Sequence, residues 1–445
     1  MAHTRVLPGR PNRRRARRTT GRLSGLSRSA GLSGLVLALA ATVGLVAACG
    51  SDDDGGGGGS TPSASANAAT SLLGPSDPAK GAAVKIGIVT EGKGPSSDMS
   101  AQDTVANGTA KWLNEHRGGI AGRPIELVVC DALGDPGKAT DCGNHLIEAG
   151  VVAAVFGESA VMQDAWKPLH DAGIPVMLYA TSETELLADK ASTFILSDPS
   201  AGPIGLPITV AKEKGFKKVT SIVIDVPAAL GLEQTIAPGK YKAAGLEHDL
   251  VRIALGTADM TPQLGPVVAG DPGLVFVLGN DSFCISAFNG LRAVGYKGQI
   301  TSIAQCITDA TRKAVPGDLL NGIEITASAP IGTDNPSTQL YKAVVSQYAK
   351  GVDTSQIGGM SMFSALAGFQ LATSKLSGEI TPASIISTIR AMPESELPGA
   401  GGLKFKCDGT ATELSSAVCT RGSLAATLDA KGQPSAYEVV GASAG

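Results

Sequence analysis

From Val84 onward the chain alternates between short, unbroken apolar runs and longer mixed stretches with helical spacing. The runs "VKIGIVT" (84–90), "IELVVCD" (125–131), "VVAAVFG" (151–157), "IPVMLYA" (174–180) and "TFILSD" (193–198) read as strands. Between them, "AQDTVANGTAKWLNEHRGG" stops at Gly118 and Gly119, "PGKATDCGNHLIEAG" opens on Pro136 and closes on Gly150, and "SAVMQDAWKPLHDAG" is a third helical stretch. Proline suits a first helical turn and glycine the position just past a last one. The alternation repeats with strands at 219–226, 248–255, 273–280 and 298–305. These strands are continuously apolar, as expected when helices cover both faces of a sheet. Strand–helix alternation of this length predicts parallel sheets with right-handed crossovers, and two such sets predict two α/β lobes.

After "GIEITASAP" (322–330) the rhythm changes. Helical stretches at 336–350, 359–377 and 382–391 follow without a new strand, so they must pack on a sheet already built. A tail containing "LKFKC" and "SLAATLDAKGQPSAYEVV" reads as strands and turns. The order predicts a chain that crosses between lobes more than once.

The first 83 residues have a different character. "RPNRRRARRTTGR" (10–22) is basic, and "GLSGLVLALAATVGLVAAC" (31–49) is apolar and ends in small residues before Cys49. A basic run followed by an apolar one and a small-residue border has the form of an export signal; a nucleic-acid arm or an uncleaved membrane anchor would be the other readings. Residues 50–83 are mostly Gly, Ser, Ala, Asp, Pro and Thr and are expected to form a flexible tether.

Over all 445 residues the formal net charge is −3, and the arginines crowd the N-terminus, which leaves no electrostatic case for a nucleic-acid partner. Of seven cysteines, setting Cys49 aside leaves Cys130, Cys142, Cys284, Cys306, Cys407 and Cys419. An even number in an exported chain suggests disulfides, and six allow fifteen pairings. They fall into three local pairs, each within one predicted supersecondary unit. No C-x-x-C pair occurs and no two histidines stand at ligand spacing, so no metal is expected. No cofactor motif and no catalytic residue stand out. "GESAV" lacks the second glycine of a nucleophile elbow because position 161 is Val, and neither H-E-x-x-H nor a P-loop is present. An exported hydrolase is therefore disfavoured.

The stretch "NEHRGGIAGRPIELVVCDALGDPGKA", with "VKIGIVTEGKGP" before it and "AGIPVMLYATSETEL" after it, resembles the type I periplasmic binding proteins. The likeness is to their leucine/isoleucine/valine-binding group, the substrate-binding lipoproteins of ABC transporters. It covers nearly all of 84–445 and is most specific over 84–198. It implies two Rossmann-like lobes with parallel sheets, three crossovers between them and a ligand cleft that closes by hinge motion. Carried onto this chain, residues 1–48 are the signal peptide and 49–83 the lipidated Cys49 with its disordered tether. Lobe 1 is 84–199 and 327–398, and lobe 2 is 200–326 and 399–445, with crossovers near 197–203, 327–332 and 396–402. Val46, Ala47, Ala48 and Cys49 are similar to a lipobox, which implies lipid on the Cys49 thiol.

The resemblance also implies a site. Ser159 and Ser182 match side chains that hold the α-carboxylate and α-amino groups of an amino acid, and Ala180 matches a backbone contact. Read without the family, either serine could be a plain N-cap. Lobe 2 departs from the pattern: Leu230 stands where Tyr is typical, Asp281 where an aromatic is common, and Gln305 in place of a carboxylate. Asp281 would hold a cation or cap the helix after it; Gln305 completes the expected ligand set. Cys284 begins a helix after one strand and Cys306 ends the next, so parallel neighbours would bring the two together. The implied partners are a small-molecule ligand (a branched-chain or similar amino acid first, an amide, small carboxylate or sugar otherwise), the ABC permease, and the membrane through the lipid. Trp112 and Trp166 fall in helix bodies rather than at a sugar platform. A monomer outside the cytoplasm, at the outer face of the bacterial membrane, is expected. A ligand-sensing receptor of the same fold is the alternative.

Overall fold

The computed structural model describes residues 71–94, 98–355 and 357–441. The expected signal peptide and Cys49 lie outside the described residues.

Five strands form one parallel sheet in the order β2-β1-β3-β4-β5: β1 (Val84–Thr90), β2 (Ile125–Asp131), β3 (Ala153–Phe156), β4 (Val176–Leu178) and β5 (Thr193–Ile195). A second sheet of seven strands runs β14-β13-β10-β9-β8-β6-β7. In it β6 (Lys218–Ile224), β7 (Glu247–Ile253), β8 (Leu274–Leu278), β9 (Ile300–Ile303) and β10 (Glu324–Ala327) are parallel. Strands β13 (Ser423–Thr427) and β14 (Glu438–Val440) close one edge antiparallel. The two α/β sets expected from the alternation are thus present as two lobes with parallel sheets. A short hairpin joins β11 (Ser395–Glu396) to β12 (Lys404–Phe405).

Both faces of each sheet are covered, which is why the strands are continuously apolar. In the first lobe Ile86 and Ile88 face a core shared with helices Ala101–His116, Pro336–Tyr348, Ile357–Ala372 and Pro382–Arg390. Val89, Ala154 and Phe156 face the other way, against helices Pro136–Glu148 and Met162–Asp171. In the second lobe Ile222, Val275 and Val277 pack on helix Asp281–Ala293, while Val219, Leu274 and Phe276 pack on helices Leu206–Lys214 and Ala237–Ala243. Local signals set several helix starts. Asp135 accepts from the Lys138 N–H before Pro136, and Thr308 and Thr381 form capping boxes.

Two expectations are corrected. The last part of the supposed tether is docked on the first lobe rather than free. Leu73 is 3% exposed, its carbonyl accepts from the Trp112 indole, and Asp77, Ala79 and Lys80 donate backbone hydrogen bonds to Glu115, Asn114 and Gly122. The apolar pair Leu72–Leu73 supplies what the surrounding Gly/Ser/Pro composition lacks. The second concerns the final crossing, expected near 396–402. Residues 404–419 stay on the first lobe: Phe405, Cys407 and Cys419 belong to its core, and Val418 bridges to Ile195 of β5. The chain joins the second sheet only at Ser423.

All three local cysteine pairs are disulfides: Cys130–Cys142, Cys284–Cys306 and Cys407–Cys419. The Cys284–Cys306 link follows from the parallel pairing of β8 with β9, which places the two residues after them side by side.

Candidate functional site

In an open parallel sheet, ligands lie beyond the carboxyl ends of the strands, where the strand order reverses. In the first lobe the reversal falls between β1 and β3, since β1 is flanked by β2 and β3. In the second it falls between β6 and β8, because β6 is flanked by β7 and β8. The loops at these points are 91–94 and 157–161 in the first lobe, and 225–226 and 279–280 in the second.

At the first reversal point Ser159 is half-buried and Ala160 is exposed. The Ser159 hydroxyl donates to Glu91 Oε2 at 2.8 Å, and the Ala160 N–H donates to the same oxygen at 3.1 Å. Glu91 is only 5% exposed, and its N–H extends the β1–β3 pairing by donating to the Glu158 carbonyl. The Glu158 carboxylate accepts from Ser361, and burial pushes its pKa up, an effect that hydrogen bond moderates. One residue before Glu91, the Thr90 hydroxyl lies 2.8 Å from Asp103 Oδ1 and 3.2 Å from Asp131 Oδ1. Burial, with Asp131 beside it, raises the Asp103 carboxyl to about 6. This edge of the first lobe is therefore lined with carboxylates, and Lys93, on the same loop, is paired with Asp98.

Ser182 stands after β4 and is exposed, as is Ala180. Ser182 lines a cavity of about 560 Å³ between the lobes. Glu183, Asp198 and Leu414 share the first-lobe wall, and Leu232 and Thr235 of helix Pro227–Thr235 form the facing wall. Leu230, which stands where the family pattern has Tyr, is buried at 7% exposure. Two residues along the helix separate Leu230, which packs, from Leu232, which faces the cavity. Gln305 is exposed and lines a different cavity of about 680 Å³ with Thr308, Arg312, Ile331 and Ser355. Asp281 is not the cap of its helix: Asn280 accepts from the Phe283 N–H, while Asp281 accepts from Ser282 N–H and lies 3.4 Å from the Thr308 hydroxyl. Among the described residues no hydrogen bond joins any two of Ser159, Ala180, Ser182, Asp281 and Gln305. Trp112 and Trp166 are both buried and donate to Leu73 O and Thr193 Oγ1, which makes them core residues. Glu91 went unnoticed in the sequence because its partner is 68 positions away; the only local signal was an acidic residue ending an apolar strand. No cluster of metal-ligating side chains occurs among the described residues.

Two α/β lobes with cavities between them, connected by three chain passages, define a cleft-binding architecture. The chain belongs to the periplasmic binding protein family, whose model matches residues 83–418. That family comprises extracytoplasmic solute binders rather than enzymes. No curated protein matches the sequence. Solved structures share the fold. An ABC transporter substrate-binding protein from Sphaerobacter thermophilus is 19% identical, with 80% of this chain and 97% of that one covered at a TM-score of 0.63. The branched-chain amino acid transporter substrate-binding protein LivJ from Streptococcus pneumoniae, in complex with isoleucine, is 17% identical, covering 80% and 99% at 0.59. The leucine-binding protein LivK from Thermotoga maritima is 15% identical, covering 80% and 98% at 0.59.

Proposed function

We propose that the protein is the extracytoplasmic solute-binding lipoprotein of an ABC importer. It is tethered to the outer face of the bacterial membrane through Cys49 and acts as a monomer. It captures a small amino-bearing solute, of the size of a branched-chain amino acid, between its lobes and delivers it to the permease. The observation that carries this reading is the interlobe cavity with Ser182 on one wall and Leu232 and Thr235 on the other. A solute bridging these walls gains its full set of contacts only when the lobes approach, so binding favours the closed state. The isoleucine held by the Streptococcus pneumoniae relative supports the size class. Catalysis is not part of this reading.

The test is a thermal-shift screen with amino acids, amides, amines and sugars, repeated on Leu232→Trp, which fills the second-lobe wall. A ligand of the native state raises the midpoint. At least one compound should do so in the wild type and fail to do so in Leu232→Trp. No shift with any compound, or a shift that survives in Leu232→Trp, would remove the reading. Cys49→Ser should move the protein from the membrane fraction to the soluble one.

A further inference from the structure

We infer that Glu91 fills the anion position at the strand reversal of the first lobe, so that this edge of the lobe receives the ammonium group of a solute and excludes a carboxylate. The assignment rests on the solute-binding reading and narrows it to an amine without a neighbouring carboxyl group.

A backbone N–H and a serine hydroxyl converging at the carboxyl edge of a parallel sheet make an anion site. Here both donors, Ala160 N and Ser159 Oγ, are spent on one oxygen of the chain's own Glu91. The side chain is 95% buried, being 5% exposed, and its backbone is fixed on both sides: its N–H donates to Glu158 and its carbonyl accepts from Leu133. Gly134 has a φ of +69°, and a Cβ there would come within 2.8 Å of Glu91 Oε1. The backbone has thus made room for this carboxylate. Among the described residues Oε1 accepts no hydrogen bond, so the group retains an acceptor for an incoming donor.

An arriving carboxylate would find the donors taken and a like charge in place. Glu158 follows β3 beside it, and Asp103 and Asp131 meet at Thr90, one residue away. Like charges at this spacing disfavour a further anion, while an ammonium neutralises part of the field. Lys93 does not alter this balance, since it is paired with Asp98.

The test compares two compounds that differ only in the carboxylate, leucine and isopentylamine, by thermal shift and by calorimetric titration of the whole exported chain. For the wild type, isopentylamine should raise the midpoint and leucine at equal concentration should not. Glu91→Ala frees Ser159 and Ala160 and should bind leucine at least about tenfold more tightly than the wild type does. Glu91→Gln keeps the side chain in place without its charge, so it should still exclude leucine and should lose isopentylamine. It also separates the effect from misfolding, because it preserves the hydrogen-bonded shape. Leucine stabilising the wild type as well as isopentylamine does, or Glu91→Ala gaining no affinity for leucine, would overturn the assignment. The first of these results would leave the solute-binding reading standing, whereas that reading falls only if no compound in the broad screen binds.

Discussion

The hydroxyl of Ser423 lies 2.6 Å from that of Thr326, and both side chains are buried. Thr326 is in β10, shortly before the second passage between the lobes, and Ser423 opens β13 just after the third. Gly202, on the first passage, completes the joint: a Cβ there would stand 2.6 Å from Thr326 Oγ1 and 3.3 Å from Ser423 Oγ. One residue from each passage therefore meets at a point with no space for an added methyl group. The Ser423 hydroxyl also reaches the Ala327 carbonyl at 3.3 Å.

Gly202→Ala should consequently cost about 1–3 kcal/mol, the usual range for overpacking a close contact. Urea denaturation would measure it. Since the clash falls where the first passage meets the ends of β10 and β13 next to the other two passages, the same variant should change the affinity for any bound solute. An unchanged denaturation midpoint would show that the joint has slack.

Arg390 holds the segment after the β11–β12 hairpin on the first lobe. Its guanidinium donates to the carbonyls of Cys407 and Ser416 at 3.0 Å and of Lys190 at 3.2 Å, and it lies 4.6 Å from the centre of the Phe194 ring. No single ammonium can reproduce that fork and the stacking together. Arg390→Ala should lower stability by about 2–3 kcal/mol, taking a charge-assisted bond as worth about 1.5–3 kcal/mol and allowing for partial exposure. Arg390→Lys should recover less than half. If lysine restored the full stability, charge alone rather than geometry would be the cause.

The Cys284–Cys306 disulfide spans a separation of 22 residues, and both sulfur-bearing residues are fully buried. A link of this length removes about 3 kcal/mol of unfolded-state freedom. The double variant Cys284→Ala, Cys306→Ala should show that loss in guanidinium unfolding while keeping its far-ultraviolet circular dichroism. A loss well under about 1 kcal/mol would mean that packing around the pair carries the stability by itself.

Strand positions were legible where an apolar run had sharp borders. The stretch 125–131, set between Pro124 and Ala132, forms Ile125–Asp131 as a strand. The cysteine pairs were legible for a related reason, since each closes within one strand–helix or strand–strand unit. What sequence could not show depends on contacts distant in the chain. Residues 404–419 look like the start of a second-lobe tail, yet Arg390, Phe194 and Ile195 keep them on the first lobe. Leu230 and Leu232 are equally apolar, and only the rotation of the helix decides that the second faces the cavity. Glu91 reads as a loop acid until Ser159 is brought beside it.

His248, the first residue of the strand expected over 248–255, lies inside β7 with its ring stacked 4.3 Å from that of Tyr241. Its Nε2 is 3.0 Å from Ser221 Oγ and 3.7 Å from Glu233 Oε2. Glu233 is fully buried, and neither of its oxygens meets hydrogen-bond geometry. Burial raises the Glu233 carboxyl to about 7, and burial also lowers the imidazole, so the carboxyl keeps its proton up to about pH 7 while the imidazole gives up its own more readily than a free one. The signs then follow. A carboxyl whose folded pKa exceeds its unfolded value keeps its proton longer in the native state, so stability falls as pH rises from about 4.5 to about 7. A depressed imidazole acts oppositely, adding stability as pH rises toward about 6.5 and offsetting part of that fall. Above neutral pH the carboxyl penalty is complete, on the order of 3 kcal/mol from the shift. Glu233→Gln carries no such penalty. It should exceed the wild type in urea stability at pH 8 by up to about 3 kcal/mol, with the advantage shrinking toward pH 5. Equal differences at both pH values would show that Glu233 does not titrate on folding and that its effect is one of shape.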